Sequence, residues 1–245
     1  IFQGNPDLNP TYTNEFEIGY LKRWQKVTLN SSIYTNITDN SFQFIRKESG
    51  LFVSGIPVIL STPINLSKET RTGFEFNVNY TPYKWWKLNG NFNFFRNETT
   101  GDYTYVDYLD QTIVQNFDNT NNTWFSRVNS KITLPYKIDW QTNITYRAPE
   151  TSAQGKRLDM TSVNLAFSKD ILKDKGTIAL NVSDLFNTRK RRNITDIENL
   201  VYSYSEFQWR QRQVMLSFTY RFNKKKEKDN SQKREDGGDE MMGTP

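Results

Sequence analysis

Gln211-Arg212-Gln213-Val214-Met215-Leu216-Ser217-Phe218-Thr219-Tyr220-Arg221-Phe222 alternates with a period of two. Val214, Leu216, Phe218, Tyr220 and Phe222 fall on one side, and Met215, Ser217, Thr219 and Arg221 on the other. That is the period of a β-strand, whose successive side chains project to opposite faces of a pleated backbone. Beyond it the alternation stops, and 223–245 is rich in Lys, Glu, Asp, Gly and Asn. The stretch therefore reads as the last strand of a folded body. What decides the fold is whether its apolar face meets a protein core or lipid.

Working back from this strand, eight more stretches share its pattern. They run from about Tyr12 to Leu21, Lys26 to Ile37, Gly73 to Tyr80, Trp85 to Arg96, Asn122 to Leu134, Ile138 to Arg147, Lys156 to Ser168 and Gly176 to Asp184. The third is the cleanest: Phe74, Phe76, Val78 and Tyr80 oppose Gly73, Glu75, Asn77 and Asn79. Two weaker strand-like pieces, Phe42 to Arg46 and Phe52 to Leu60, lie inside a long connection broken by Gly50, Gly55 and Pro57. Nine strands in an antiparallel chain are expected.

The connections alternate short and long along the chain. In an antiparallel sheet this places every short turn at one end and every long loop at the other. Outer-membrane barrels show this asymmetry, and strands of about ten residues match a tilted membrane crossing. Tyr20, Trp24, Tyr80, Tyr83, Trp85, Trp86, Tyr136, Trp140, Tyr220 and Phe222 collect at the short-turn end, as in an interfacial aromatic girdle. The mean hydropathy of -0.76 and the lack of any run of 18 apolar residues exclude a helical membrane protein, but not a barrel whose alternate residues face a wet lumen. The expected fold is thus all-β, an antiparallel transmembrane β-barrel portion, located in the cell outer membrane and bounded by lipid and lipopolysaccharide.

Composition narrows the chemistry. The 245 residues include no Cys and no His, which removes disulfides, the usual zinc sites, Cys or His nucleophiles and His-ligated haem. The net charge of +5 is diffuse, and the basic and acidic residues of the tail balance. No nucleic-acid partner is expected. Neither catalytic constellation nor cofactor is expected, so the chain is read as a non-enzyme. Glu15 and Glu17 share a strand face as lumen-facing polar groups rather than a glycosidase pair. Asp102, Asp107, Asp110 and Asp118 lack EF-hand spacing. The opening Ile1-Phe2-Gln3-Gly4 reads as the interior or the mature start of a longer protein.

Three stretches add a resemblance. Asn5-Pro6-Asp7-Leu8-Asn9-Pro10, leading into Tyr12 to Tyr20, resembles the motif that opens later barrel strands of TonB-dependent outer-membrane receptors. Arg71-Thr72-Gly73-Phe74-Glu75-Phe76 resembles their mid-barrel strand, and Asn181-Val182-Ser183-Asp184-Leu185-Phe186-Asn187 their penultimate-strand motif. The order and spacing are closest to the Bacteroidetes outer-membrane barrels. The resemblance covers about 1–222 and implies about nine strands of a 22-stranded barrel, plugged by a domain upstream. It implies import of a scarce solute such as a siderophore, glycan, cobalamin or peptide. It implies energy from the inner-membrane coupling complex, acting through the missing plug, and a surface lipoprotein as partner. Phe222 takes the place of the barrel-closing terminal aromatic, and 223–245 is expected as a disordered charged periplasmic tail. The competing readings are a passive or structural outer-membrane barrel and a secreted carbohydrate-binding or adhesion module.

Few residues stand out as sites. Arg189, Lys190, Arg191 and Arg192 form a basic run in an external loop that could attract an anionic substrate or lipopolysaccharide phosphate. Asn5, Pro6, Gly73, Glu75, Asp184, Leu185 and Phe186 are singled out as the positions that carry the resemblance. Gly19, Gly73 and Gly90 mark bends, bulges or close approach of a plug.

Overall fold

The structure is a computed structural model that describes residues 1–66, 68–107, 109–198 and 200–222. The expected tail, 223–245, lies outside the described residues. The strands are β1 (Tyr12–Arg23), β2 (Val27–Asp39), β3 (Phe42–Val53), β4 (Ile56–Asn65), β5 (Lys68–Tyr83), β6 (Trp86–Thr100), β7 (Asp102–Val106), β8 (Thr112–Asn116), β9 (Asn119–Leu134), β10 (Ile138–Arg147), β11 (Glu150–Ser152), β12 (Gly155–Arg157), β13 (Met160–Ile171), β14 (Gly176–Ser183), β15 (Arg191–Ile197), β16 (Val201–Phe207) and β17 (Gln213–Tyr220). Nine of them form one antiparallel sheet in the order β1-β2-β5-β6-β9-β10-β13-β14-β17. These are the nine strands expected from the alternation, each paired with its neighbour along the chain.

The other eight strands fold the long connections. β3 pairs with β4, β7 with β8, and β11-β12-β15-β16 form a small sheet of their own. The pieces at Phe42 to Arg46 and Phe52 to Leu60 are thus a hairpin outside the main sheet, not missed members of it. Two expectations are corrected. The connection from Leu185 to Gln208 is not an open polar loop, because β15 and β16 pair along their whole lengths. The stretch Lys156 to Ser168 is not one strand: Gly155–Arg157 pairs with β15, and the main-sheet strand starts only at Met160. The alternation that marks this strand runs only from Ser162 to Phe167, and the mixed stretch before it gives no clear sign of where the strand begins.

Register sorts the main sheet into two faces. One row reads Ile18, Ile33, Phe74, Phe94 and Trp124 across β1, β2, β5, β6 and β9. Its rings pack against those of the next row. Phe74 and Phe94 centroids lie 5.4 Å apart, Phe74 and Phe76 5.3 Å, and Phe92 and Trp124 5.6 Å. On the other face a row reads Asn79, Asn89, Asn129, Asn143 and Asn164. A one-residue slip anywhere would exchange these two faces, so the pattern holds the register.

Among the described residues nothing packs against the apolar face. Apart from Pro63 and Pro82, the buried apolar side chains among the described residues are Ile45, Ile64, Leu66, Phe117 and Ala148, and none of these five lies in the nine-stranded sheet. The first four pack together among the loop hairpins, with Tyr103 beside them. Meanwhile Ile18 is 81% exposed, Leu216 72% and Ile33 67%. A continuous apolar sheet face far exceeds the patches that water-soluble monomers leave uncovered. At the short-turn end Tyr83 stacks on Trp85 at 5.1 Å, Trp85 on Trp86 at 6.2 Å, and Tyr220 meets Phe222 at 4.7 Å. The expected aromatic belt is therefore present, with Phe222 in it. β1 and β17 are not paired to each other, so the nine strands form an open sheet. In hydrocarbon such edges need hydrogen-bonding partners.

Candidate functional site

The polar face is a hydrogen-bonded surface. Asn89 donates to Asn79, Asn143 to Asn129 at 2.5 Å and Asn164 to Asn143 at 3.1 Å. One row nearer the loops, Asn91 donates to Asn77 at 2.8 Å. Carboxamides suit this geometry because each carries both donors and acceptors and can hand a bond along the row. Glu75 sits among them, with no ion-pair partner among the described residues. Asn77 donates to it at 2.6 Å, Asn91 at 3.1 Å and Asn93 at 3.3 Å.

Gly73 explains part of this wall. A Cβ there would stand 2.5 Å from the Phe94 carbonyl oxygen and 2.7 Å from the Tyr34 hydroxyl. The Tyr34 ring lies across the glycine and its hydroxyl donates to Asn93 at 3.0 Å. The close approach at Gly73 is thus made by the adjacent strand. Gly90 has open space where its Cβ would be, and Gly19 nearly so.

The other motif positions hold loops in place. Asn5 donates to the Pro63 carbonyl at 3.0 Å and its own side-chain oxygen accepts from Asp7 N–H at 3.0 Å. This clasps the segment before β1, with Pro6 in its turn, onto β4. Asp184 is fully buried at the end of β14, with a left-handed φ of 53° that Asp tolerates well. Its carboxylate accepts the N–H groups of Thr188 and Arg189, both at 3.0 Å. Leu185 N–H donates to the Val163 carbonyl at 2.7 Å, while the Phe186 ring stays exposed. The motif is a turn that aims the chain from β14 toward the external sheet.

The basic run does not form one patch. Lys190 pairs with Glu206 at 2.7 Å, and that hydrogen bond holds the Glu206 carboxyl below the usual carboxylate range. Arg192 pairs with Asp159 at 3.1 Å. Arg191 begins β15 and lies with Arg189 beside Phe207 and Trp209. Arg189 alone also borders a recess of about 470 Å³ on the polar face, together with Arg127 and Arg147. Sequence reasoning did not single out Arg127 or Arg147. The available signal was their phase, since both fall on the polar side of their strands and positions equidistant from Tyr136 pair across that turn. Among the described residues no group of His, Cys, Asp and Glu could hold a metal ion.

Residues 1–220 match the outer membrane protein beta-barrel family, and the chain belongs to it. Neither a search of curated proteins nor one of solved structures finds a match. The nine-stranded sheet is accordingly wall of an outer-membrane barrel. Its bare apolar face meets lipid, and its asparagine-lined face is the lumen.

Proposed function

We propose that the chain supplies part of the barrel wall of a TonB-dependent receptor for active uptake of a scarce solute, such as a siderophore, glycan, cobalamin or peptide. The observation that carries this reading is the folding of the external loops. Gln154 is buried, accepts the Arg46 N–H at 2.8 Å and donates to the Arg46 carbonyl at 2.9 Å. This bidentate contact joins the connection after β10 to the hairpin β3-β4. β12 pairs with β15, which joins that connection to the one after β14. A passive pore needs only a wet lumen. Loops bonded to one another present a shaped surface to the outside, which capture of a dilute solute requires.

In this reading the free edges of β1 and β17 pair with further strands of the barrel, the loops face outward and the aromatic belt lies at the periplasmic interface. Coupling to the inner membrane passes through a plug domain, and a surface lipoprotein is a partner for the loops. The test is uptake by cells producing the full-length protein. Labelled ferric siderophore, cobalamin, oligosaccharide and peptide are offered with and without an uncoupler, and with the coupling protein deleted. Saturable uptake lost under both treatments is expected. Uptake that rises linearly with concentration and ignores the uncoupler would instead establish a passive barrel.

A further inference from the structure

We infer that Arg127, Arg147 and Arg189 form a lumenal binding site for an anionic solute bearing carboxylate or phosphate groups. The inference deepens the receptor reading and rests on it for the solute's entry. Arg127 is paired with Thr145, and Thr145 with Ser162, in one row across β9, β10 and β13. Arg147 stands one row nearer the loops, diagonal to Arg127, at a spacing of about 7–8 Å between backbones. Arg189 reaches the same recess from the turn that Asp184 holds. Asn129 and Asn143 form its floor toward the periplasm.

Two observations point to a ligand. The first is charge. None of the six carboxylates between Asn119 and Lys190 neutralises these arginines, and Glu75, two strands from Arg127 on the same face, is instead held by Asn77, Asn91 and Asn93. Asp139 pairs with Lys131, Glu150 with Arg157, Asp159 with Arg192 and Asp170 with Arg221. Asp184 is used by backbone N–H groups, and Asp174 lies in the turn at the opposite end of the sheet. Arg127, Arg147 and Arg189 have no ion-pair partner among the described residues. The second is Ser162. It is 3% exposed, lines the recess, and its hydroxyl has no hydrogen-bond partner among the described residues. A buried hydroxyl without a partner is costly unless something supplies one. Three guanidinium forks and a free hydroxyl around about 470 Å³ suit a polyanion of small-molecule size, which arginine binds bidentately. The recess is on the lumenal face, so lipid headgroups do not reach it.

The full-length protein in detergent micelles is titrated with citrate, with inorganic phosphate and with neutral maltotriose. Salt-sensitive binding of an anion but not of maltotriose is expected. Arg127→Gln and Arg147→Gln are each expected to weaken it about tenfold, about 1.4 kcal/mol, and the triple variant with Arg189→Gln to abolish it. Lys173→Gln, in the periplasmic turn, leaves it unchanged. Because variants can misfold, phenylglyoxal modification of the unmutated protein provides a second measurement. Citrate or phosphate should protect these three arginines, located by peptide mass mapping. No anion binding by the unmutated protein, equal affinity in the variants, or equal modification with and without anion would overturn the site. Energised uptake unaffected by the arginine variants rejects the site and spares the receptor reading. Arginine-dependent binding without energised uptake does the reverse.

Discussion

Single residues shape this wall mainly by making room or by accepting bonds. At Gly73 the missing side chain leaves space for the Tyr34 ring, a device that covers a strand glycine with a cross-strand aromatic. Gly73→Ala should destabilise the barrel by about 1–3 kcal/mol, the usual range for overpacking, read as a lower urea midpoint in lipid vesicles. An unchanged midpoint would mean the Tyr34 ring shifts freely. Asp184 acts differently. Asp184→Ala removes the acceptor of two N–H groups and puts a Cβ-bearing residue without a local bond at φ 53°. A loss of about 1–3 kcal/mol for each orphaned donor is expected. Asp184→Asn keeps one acceptor and the left-handed preference, so it should lose less. Equal losses would contradict the capping role. Both positions were singled out because of a resemblance, and the structure supplies their physical reason.

Among elements, the strands and their connections differ in how far local pattern specifies them. Though Asn122 to Leu134, with Trp124 beside Phe125, is patterned less cleanly, most main-sheet strands show a period of two, because one face meets lipid and the other water. The loop hairpins do not. The hairpin β3-β4 supplies Ile45 and Ile64 to a small apolar cluster, whereas β16 is largely exposed and β15 carries no clean alternation. Arg191 to Ile197 therefore reads, from sequence alone, as part of a polar loop. Gln154 is where these elements are tied. Gln154→Ala removes both bonds to Arg46, at roughly 0.5–1.5 kcal/mol each. Limited proteolysis on whole cells should then cut the β3-β4 hairpin several-fold faster, while heat-modifiable gel migration stays unchanged. An unaltered cleavage rate would show that the apolar cluster around Ile45 and Phe117 suffices to hold the loops.

For the whole molecule, the medium replaces a core. Ile18, Ile33, Phe76, Leu216 and Phe218 are exposed in the chain itself and are covered by lipid in the membrane. Phe76→Arg, near mid-strand on that face, should cost about 2–4 kcal/mol when unfolding is followed in vesicles. Asn30→Arg, on the lumenal face, should cost little. Similar losses at both would contradict the assignment of faces. The open edges of β1 and β17 belong to this scale too, since neither could remain unpaired in hydrocarbon.

The sequence by itself determined the nine strands, their two faces, the end that carries the loops and the aromatic belt. These follow from a period of two and from connection lengths, which are local properties legible one strand at a time. Only the tertiary structure decided how the loops fold on one another and which side chains meet across strands. Arg46 and Gln154 touch though far apart in the chain, and Arg127, Arg147 and Arg189 come from two strands and a loop. Such meetings depend on register carried through several successive turns and on a buried carboxylate at Asp184. Alternation within any one strand does not contain that information.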